Sequence, residues 1–252
     1  MIETERITIR AYRAVDEPST CREFLRGHAK VLEDFGIQNV TTNNPLWCSD
    51  PDTYVLVAIT KEHGMIGGIR LEVSKPGRIL PMQDALKKFE PGIAMRMAGM
   101  GKYGMAEVCG LWVANQMVGK GLPGLLALSA VSMANQIGMS SLVCLVAHYT
   151  LRQAVRSGFT PISDIGDQGK FSYPIPSITA YAMAVPDAIS LETTPTAQRE
   201  ALMSLRLRPV QERSEQLAGK NVQVRYLLQL TETAVNMTLY GRILVDRLAR
   251  SA

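Results

Sequence analysis

The chain has 252 residues, of which 46% are hydrophobic and 20% charged, and its 27 basic and 23 acidic residues give a net charge of +4. These proportions are typical of a globular protein and exclude a disordered chain or a disulfide scaffold. The charge excess is small and no run of five like charges occurs, so no nucleic-acid partner is predicted.

The cysteines and the amino terminus bear on metal binding and location. No C-x-x-C pair exists, so we predict no metal site and buried free thiols at Cys21, Cys48, Cys109 and Cys144. Residues 1–6 lack the apolar run of a signal peptide, and no stretch approaches the roughly 20 apolar residues of a membrane span. We therefore expect a cytoplasmic protein without a membrane span.

The first part of the chain predicts a strand, a helix and a hairpin. Ile7–Tyr12 alternates apolar and polar side chains, as a half-buried strand does, and Pro18 opens a helical stretch towards Gly36. Tyr54–Thr60 and Ile66–Val73 are rich in β-branched residues and are joined by a tight connection. The pair is therefore predicted to form a β-hairpin.

Residues 74–104 have the character of an insertion. Prolines interrupt the segment, Met82–Phe89 is a short amphipathic piece, and several methionines lie among glycines: Met95, Met97, Met100 and Met105. Flexible methionines pack adaptably, so the segment either lines an apolar substrate pocket or packs on the core as a loop.

The central part of the chain alternates strands with helices. Ala106–Val113 is predicted as a strand, and Leu122–Ile137 as a helix that is apolar on most of its circumference. Ser141–Ala147 is a continuous apolar run, typical of a central strand covered on both faces. A short helix at Thr150–Ser157 and a strand at Ile178–Val185 follow.

Residues 186–252 form an extension that we predict to be mostly helical. Gln198–Leu207 has apolar residues at helical spacing, Val222–Tyr226 has strand character, and Leu239–Leu248 is again helical in pattern. The extension completes the core, forms a homodimer contact or docks another protein.

A glycine-bearing loop lies between the strand at Ala106–Val113 and the apolar helix. A helix N-terminus presents unpaired N–H groups and the positive end of the helix dipole, so it favours an anion. Gly119 and Gly121 permit close approach of a ligand to the backbone, and Lys120 adds a positive charge. The loop is therefore predicted to bind an anionic group such as a phosphate.

The spacing Gln116-x-x-Gly119-x-Gly121 resembles the Q/R-x-x-G-x-G/A pyrophosphate loop of the GNAT superfamily of N-acetyltransferases. The order of elements is also similar over residues 5–185. The resemblance implies an α/β (α+β) fold with a mixed, mostly antiparallel central sheet flanked by helices. The acyltransferase domain would span 1–185, followed by the mainly helical extension.

The resemblance also implies a substrate, which is acetyl-CoA or another acyl-CoA. In the family, loop amides bind the pyrophosphate and the preceding strand binds the pantetheine arm through its backbone. The residues at these positions are Leu111, Trp112, Val113, Gln116, Met117, Val118, Gly119, Lys120, Gly121 and Leu122. The thioester would lie in a gap beside Ser141–Ala147. The Trp112 side chain is also interpretable as a buried anchor alone.

The implied reaction is direct attack of an amine on the thioester, with a base and an acid but no covalent enzyme intermediate. Glu107 lies where many members carry the base, although a surface-facing strand carboxylate fits it equally. Arg70 and Glu72 lie on the strand that borders the acceptor cleft in relatives, and we expect them to be solvated.

The usual general acid of the family, a Tyr four residues before the Gly-Phe that follows the short helix, is Ala154 in this chain. Tyr149 or His148 would have to replace it, unless each is an exposed or structural aromatic residue.

The predicted function is therefore acyl-CoA-dependent transfer of an acetyl group to a small-molecule or peptide amine. A longer acyl group is an alternative, because Gly67–Leu71 and Glu107–Val113 are similar to segments of acyl-homoserine-lactone synthases. The missing Tyr keeps open a non-catalytic CoA-binding sensor or interaction module.

Overall fold

The computed structural model describes residues 6–37 and 40–231. Within these ranges the strands are β1 Arg6–Arg13, β2 Thr53–Thr60, β3 Gly64–Val73, β4 Met105–Val113, β5 Ser141–Ala147, β6 Thr160–Pro161, β7 Lys170–Ser172, β8 Thr179–Val185, β9 Val210–Leu217 and β10 Lys220–Leu227. The α-helices are α1 Pro18–Asp34, α2 Pro81–Leu86, α3 Ile93–Met100, α4 Leu122–Ser132, α5 Leu151–Arg156 and α6 Thr196–Leu207.

All described strands belong to one mixed sheet in the order β6-β8-β5-β4-β3-β2-β1-β10-β9, and β7 pairs with β8. Neighbouring strands are antiparallel except at β4–β5 and β1–β10, which are parallel. The predicted fold class, a mostly antiparallel sheet flanked by helices, is confirmed.

The hairpin predicted at Tyr54–Thr60 and Ile66–Val73 is confirmed by β2 and β3, whose side chains alternate between two cores. On β2, Leu56 and Ala58 pack into the cluster that contains α4, whereas Val55 and Val57 pack with α1. Both faces of the strand are covered, so β2 is apolar at nearly every position.

The other predicted elements are found close to their expected positions, but α4 is shorter than the helix predicted at Leu122–Ile137. The helix ends at Ser132 and continues as a 3₁₀ turn at Met133–Asn135, after which Gly138 adopts a φ of +70°. A left-handed residue ends the turn because it points the chain away from the helix axis.

The insertion between β3 and β4 packs on the sheet. Helices α2 and α3 bury Leu86, Ile93 and Met97 in a cluster with residues of β5 and β8, while Met95 is 80% exposed. The segment is therefore a covered part of the core rather than a free loop.

The described part of the extension adds one helix and one hairpin. Leu202 and Leu205 of α6 and Val224 and Tyr226 of β10 are buried in the cluster that contains α4. The helix predicted at Gln198–Leu207 and the strand at Val222–Tyr226 are confirmed. The helical pattern predicted around Leu239–Leu248 lies outside the described residues.

No helix in the described ranges combines the length and apolar character that crossing a membrane requires. Of the four cysteines, all free, Cys21, Cys109 and Cys144 are buried, and Cys48 is partly buried. The prediction of buried thiols is thus confirmed at three positions.

Candidate active site

The two parallel central strands separate after a short paired stretch. β4 and β5 pair only from Met105 with Ser141 to Glu107 with Val143. Beyond that point β4 stays paired with β3, and β5 stays paired with β8. One edge of β4 therefore has no strand partner from Val108 onwards, and its N–H and C=O groups can bind an extended ligand as a further strand would.

A bulge lies in the same part of β4. The β3–β4 register shifts between Gly68 and Arg70, so that two residues of β4, Gly110 and Leu111, lie opposite one residue of β3. Gly110 has a φ of +61°, a conformation that glycine adopts without steric cost. The bulge turns both residues into the wall of the gap.

The gap encloses a cavity of about 170 Å³ whose two ends differ in chemistry. The end covered by α4 and α5 is apolar and is lined by Val108, Ala127, Cys144, Ala154 and Phe159. The opposite end, beside α1 and α2, is lined by polar groups of His28, Thr41, Thr42 and Glu107. An acyl chain fits the first environment, and a polar acceptor fits the second.

The loop that follows β4 presents backbone donors. Gly119 and Gly121 have φ values of +74° and +90°, and α4 begins at Leu122 without a side-chain cap. Among the described residues, the amides of Gly119, Gly121 and Leu122 donate to no protein acceptor. Three free amides at the positive end of a helix form a suitable environment for an anion.

The remaining loop residues divide into anchors and exposed groups. Met117 and Leu122 are buried in the core cluster that contains α4, which fixes the loop at both ends. Gln116, Val118 and Lys120 are exposed around the free amides.

Trp112 is a buried anchor on the other side of β4. Its ring packs against Gly27 of α1 and lies edge-on to Phe24, with ring centroids 5.9 Å apart. Only the backbone of Trp112, together with that of Leu111 and Val113, belongs to the open edge of the gap.

Glu107 lies at the point where β4 and β5 separate, and it lines the cavity with only 1% of its surface exposed. Its two carboxylate oxygens accept the amide N–H of Met82 at 3.0 and 2.8 Å. Burial raises the pKa of Glu107 to about 8, although the Met82 amide acts in the opposite direction. The side chain can therefore exchange a proton near neutral pH.

The structure separates the two candidates for the general acid. Tyr149 lines the cavity mouth and stacks on Phe35 with ring centroids 5.6 Å apart. Burial raises the pKa of its hydroxyl, which keeps it protonated. His148 is exposed and packs at a steep angle against Tyr149, with ring centroids 5.2 Å apart, and it is not among the described residues that line this cavity. Ala154 lines it without an acidic group.

The expectation that Arg70 and Glu72 are solvated was wrong. Both are buried, and Arg70 Nε donates to Glu72 Oε1 at 2.8 Å. The physical reason is that β3 is an inner strand, with β2 and β4 on its two sides and helices over both faces. Arg78 from the insertion donates to Glu72 Oε2 at 2.6 Å.

Sequence reasoning did not single out His28 and Thr42 as cavity residues, and it left open whether the insertion lines a pocket or packs on the core. Of the insertion, Pro81 and Met82 line the cavity, whereas the four methionines at 95, 97, 100 and 105 do not. The sequence did contain a signal for the burial of Arg70. A charged residue within the apolar stretch Ile66–Leu71 indicates a buried charge that is paired with an opposite one.

No protein-family profile and no curated protein matches the sequence. Solved structures do match. FeeM, an N-acyl amino acid synthase from uncultured soil microbes, superposes with a TM-score of 0.57 at 19% identity, covering 79% of this chain and 100% of that chain.

BjaI, a CoA-dependent acyl-homoserine lactone synthase solved with SAM and isopentyl-CoA, superposes with a TM-score of 0.54 at 15% identity. The match covers 95% of this chain and 99% of BjaI. The chain therefore shares the fold of these two acyltransferases, a mixed and mostly antiparallel sheet flanked by helices, as the resemblance of the loop implied.

Proposed function

We propose that the protein is an acyl-CoA-dependent N-acyltransferase, which transfers an acyl group from the thioester to an amine. The observation that carries the proposal is the continuity of one binding path. The open edge of β4 leads directly to the free amides of Gly119, Gly121 and Leu122. A pantetheine arm with a pyrophosphate at its end has the same order of groups.

The donor would bind mainly through the backbone. The strand residues Leu111, Trp112 and Val113 would bond the pantetheine amides, and the loop residues Gln116 to Leu122 would surround the pyrophosphate. Lys120 would add a long-range attraction, which is weakened by solvent because the side chain is exposed.

The chemistry would occur where β4 and β5 separate. The amine nitrogen attacks the thioester carbonyl carbon, the C–S bond breaks, and the sulfur leaves as a thiolate. Glu107 is the candidate base that takes the proton from the amine, and Tyr149 is the candidate acid that gives a proton to the thiolate. His148 is the weaker candidate, because it lies outside this cavity.

Two experiments test the proposal in sequence. Calorimetric titration with CoA tests donor binding, and absence of binding would refute the proposal. Thiol release from acetyl-CoA and longer acyl-CoA donors, with amines as acceptors, then tests transfer. Mass spectrometry of the product distinguishes acetyl from longer acyl groups.

Specific observations favour each of two alternatives. Ala154 leaves the family position of the acid without a proton donor, which favours a CoA sensor, and such a protein would bind CoA without turnover. The apolar end of the cavity favours a longer acyl group. A homodimer contact through residues 186–252 and a cytoplasmic location stay predictions, as does the choice between a small-molecule and a peptide amine.

A further inference from the structure

The described part of the extension reaches the donor loop. A Cβ atom at Gly121 would lie 3.2 Å from Leu217 Cδ2 and 4.0 Å from the carbonyl oxygen of Gln216, so the end of β9 lies directly beside the loop. Leu217 is 4% exposed and belongs to the core cluster that also contains Met117 and Leu122 of the loop. The hairpin of the extension and the donor loop are therefore fixed to each other through one core.

The hairpin turn brings a lysine to the same place. β9 ends at Leu217 and β10 starts at Lys220, and these two residues lie opposite each other in the antiparallel pair. The turn residues, Ala218 and Gly219, have φ values of +50° and +77°, as a tight two-residue hairpin turn requires. Opposite residues project from the same face of a sheet, so Lys220 projects from the face on which Leu217 approaches Gly121.

The sheet topology places this end of the hairpin at the edge where β4 ends. β10 is parallel to β1, and each step from β1 through β2 and β3 to β4 is antiparallel, so β10 starts at the edge where β4 leads into the donor loop. Val224 and Tyr226, which alternate onto the same face as Lys220, are buried in the cluster that contains α4. Lys220 therefore lies on the α4 side of the sheet, at the end where that helix begins.

The charge of Lys220 is not used elsewhere in the described structure. The side chain is exposed and forms no ion pair with another described residue. Glu215, the nearest carboxylate on that face of β9, already bonds Arg213 Nε at 2.9 Å and the hydroxyl of Tyr226 at 3.0 Å. Lys120 of the loop is exposed as well. The loop and the hairpin thus each add a positive charge beside the three free amides.

We propose that the β9–β10 hairpin of the extension completes the donor site. Leu217 would support the loop at Gly121, and Lys220 would bind a phosphate group of the acyl-CoA donor. The resemblance to the GNAT superfamily covers only residues 5–185, so the hairpin gives the extension a role in donor recognition besides its contribution to the core. The inference rests on the proposed N-acyltransferase function.

The first experiment changes the charge of the lysine in the full chain. Lys220→Gln removes the charge and Lys220→Arg keeps it, and CoA binding is measured by calorimetric titration. We expect Lys220→Gln to weaken binding roughly twofold to fivefold at low salt, as for an exposed ion pair, and Lys220→Arg to bind like the wild type. The difference should shrink at about 1 M salt, because the Debye length then falls to about 3 Å.

Lys102→Gln is the matched control for net charge. Lys102 is also exposed, but it precedes β4, whose nine residues place it about 30 Å from the donor loop. Its replacement should leave CoA affinity at the wild-type value. Equal CoA affinities of Lys220→Gln and Lys102→Gln would overturn the role of Lys220.

Shortened ligands identify the group that Lys220 binds. Lys220→Gln should not change the affinity for pantetheine, which carries no phosphate. An effect that persists with dephospho-CoA assigns the contact to the pyrophosphate, and an effect seen only with CoA assigns it to the ribose phosphate. A loss of pantetheine affinity as large as the loss of CoA affinity would contradict phosphate binding.

Leu217→Ala tests the support of the loop. It should weaken CoA binding at both salt concentrations, because it acts through packing rather than charge. Leu202→Ala is the control, since Leu202 is buried in the same cluster but does not lie within 4 Å of the Cβ position at Gly121. Equal CoA affinities of the two folded variants would refute the supporting role. If Leu217→Ala does not fold, the Lys220 variants decide the result.

The outcomes separate the two proposals. Absence of CoA binding by the wild-type protein would refute the acyltransferase function and the role of the hairpin together. CoA binding that neither Lys220→Gln nor folded Leu217→Ala weakens would refute only the role of the hairpin and leave the proposed function standing.

Discussion

Alanine at Gly119 is the sharpest test of the donor loop. Gly119 has a φ of +74°, and a Cβ built there meets no atom within 4 Å, so the only cost to the folded protein is backbone strain. Such strain costs about 1–2 kcal/mol for an alanine. For a chain of this size, each 1 kcal/mol lowers Tm by about 2–4 °C.

The effect on the ligand should be larger than the effect on the fold. The added methyl group projects into the space beside the free amides, where the pyrophosphate would lie. Loss of one amide bond to a charged acceptor costs about 1.5–3 kcal/mol. This is a loss of roughly tenfold to a hundredfold in the affinity for CoA.

A matched control separates strain from obstruction. Gly64 has a φ of +65° and equally open surroundings, but it lies at the start of β3, in the β2–β3 turn. Gly64→Ala should therefore lose similar stability and keep wild-type affinity in a calorimetric titration. Folded Gly119→Ala with unchanged CoA affinity would refute the loop assignment.

Three further changes test the site and its support. Because burial raises the pKa of Glu107 to about 8 from an ordinary value of 4.5, transfer that uses its carboxylate should rise with pH up to about 8, and Glu107→Gln should abolish turnover while CoA still binds. The raised pKa also means that the folded state holds the Glu107 proton more tightly than the unfolded state does. The free energy of unfolding of the wild type should therefore fall as the pH rises from about 4.5 to 8, and that of Glu107→Gln should change less over the same range. Denaturant titrations that give the same pH dependence for both proteins would contradict this. Ala154→Tyr fills the apolar end of the cavity, so donors longer than acetyl should lose activity relative to acetyl-CoA, and an unchanged donor profile would count against the assignment of that end. Gly27→Ala places a methyl group in overlap with the Trp112 ring and should destabilise the protein by about 1–3 kcal/mol in urea unfolding, despite the better helix propensity of alanine.

The donor loop could be predicted from sequence because its chemistry is local. The positive φ values of Gly119 and Gly121, and the helix that starts at Leu122, follow from residues adjacent in the chain. The same holds for the hairpin of β2 and β3, whose pairing needs only a short turn between two apolar runs. Local patterns therefore predicted both the scaffold and the donor half of the candidate site.

The surroundings of Arg70 and His28 could not be predicted in this way. The burial of Arg70 depends on β4, on the turn that holds Thr42 and on Arg78 from the insertion, which are brought together only by the fold. His28 lies on α1, and it lines the cavity only because the fold brings α1 next to the gap between β4 and β5. No spacing rule connects these residues.

One glycine links the open edge of β4 to the buried Arg70. At Gly110 the bulge turns β4 into the wall of the gap, and the missing side chain leaves room for the Arg70 guanidinium behind it. A residue with a side chain at this position would meet both a strained φ and the guanidinium, so Arg70 would have to move. The bulge in the open edge of β4 and the position of the Arg70 guanidinium thus both depend on glycine at position 110.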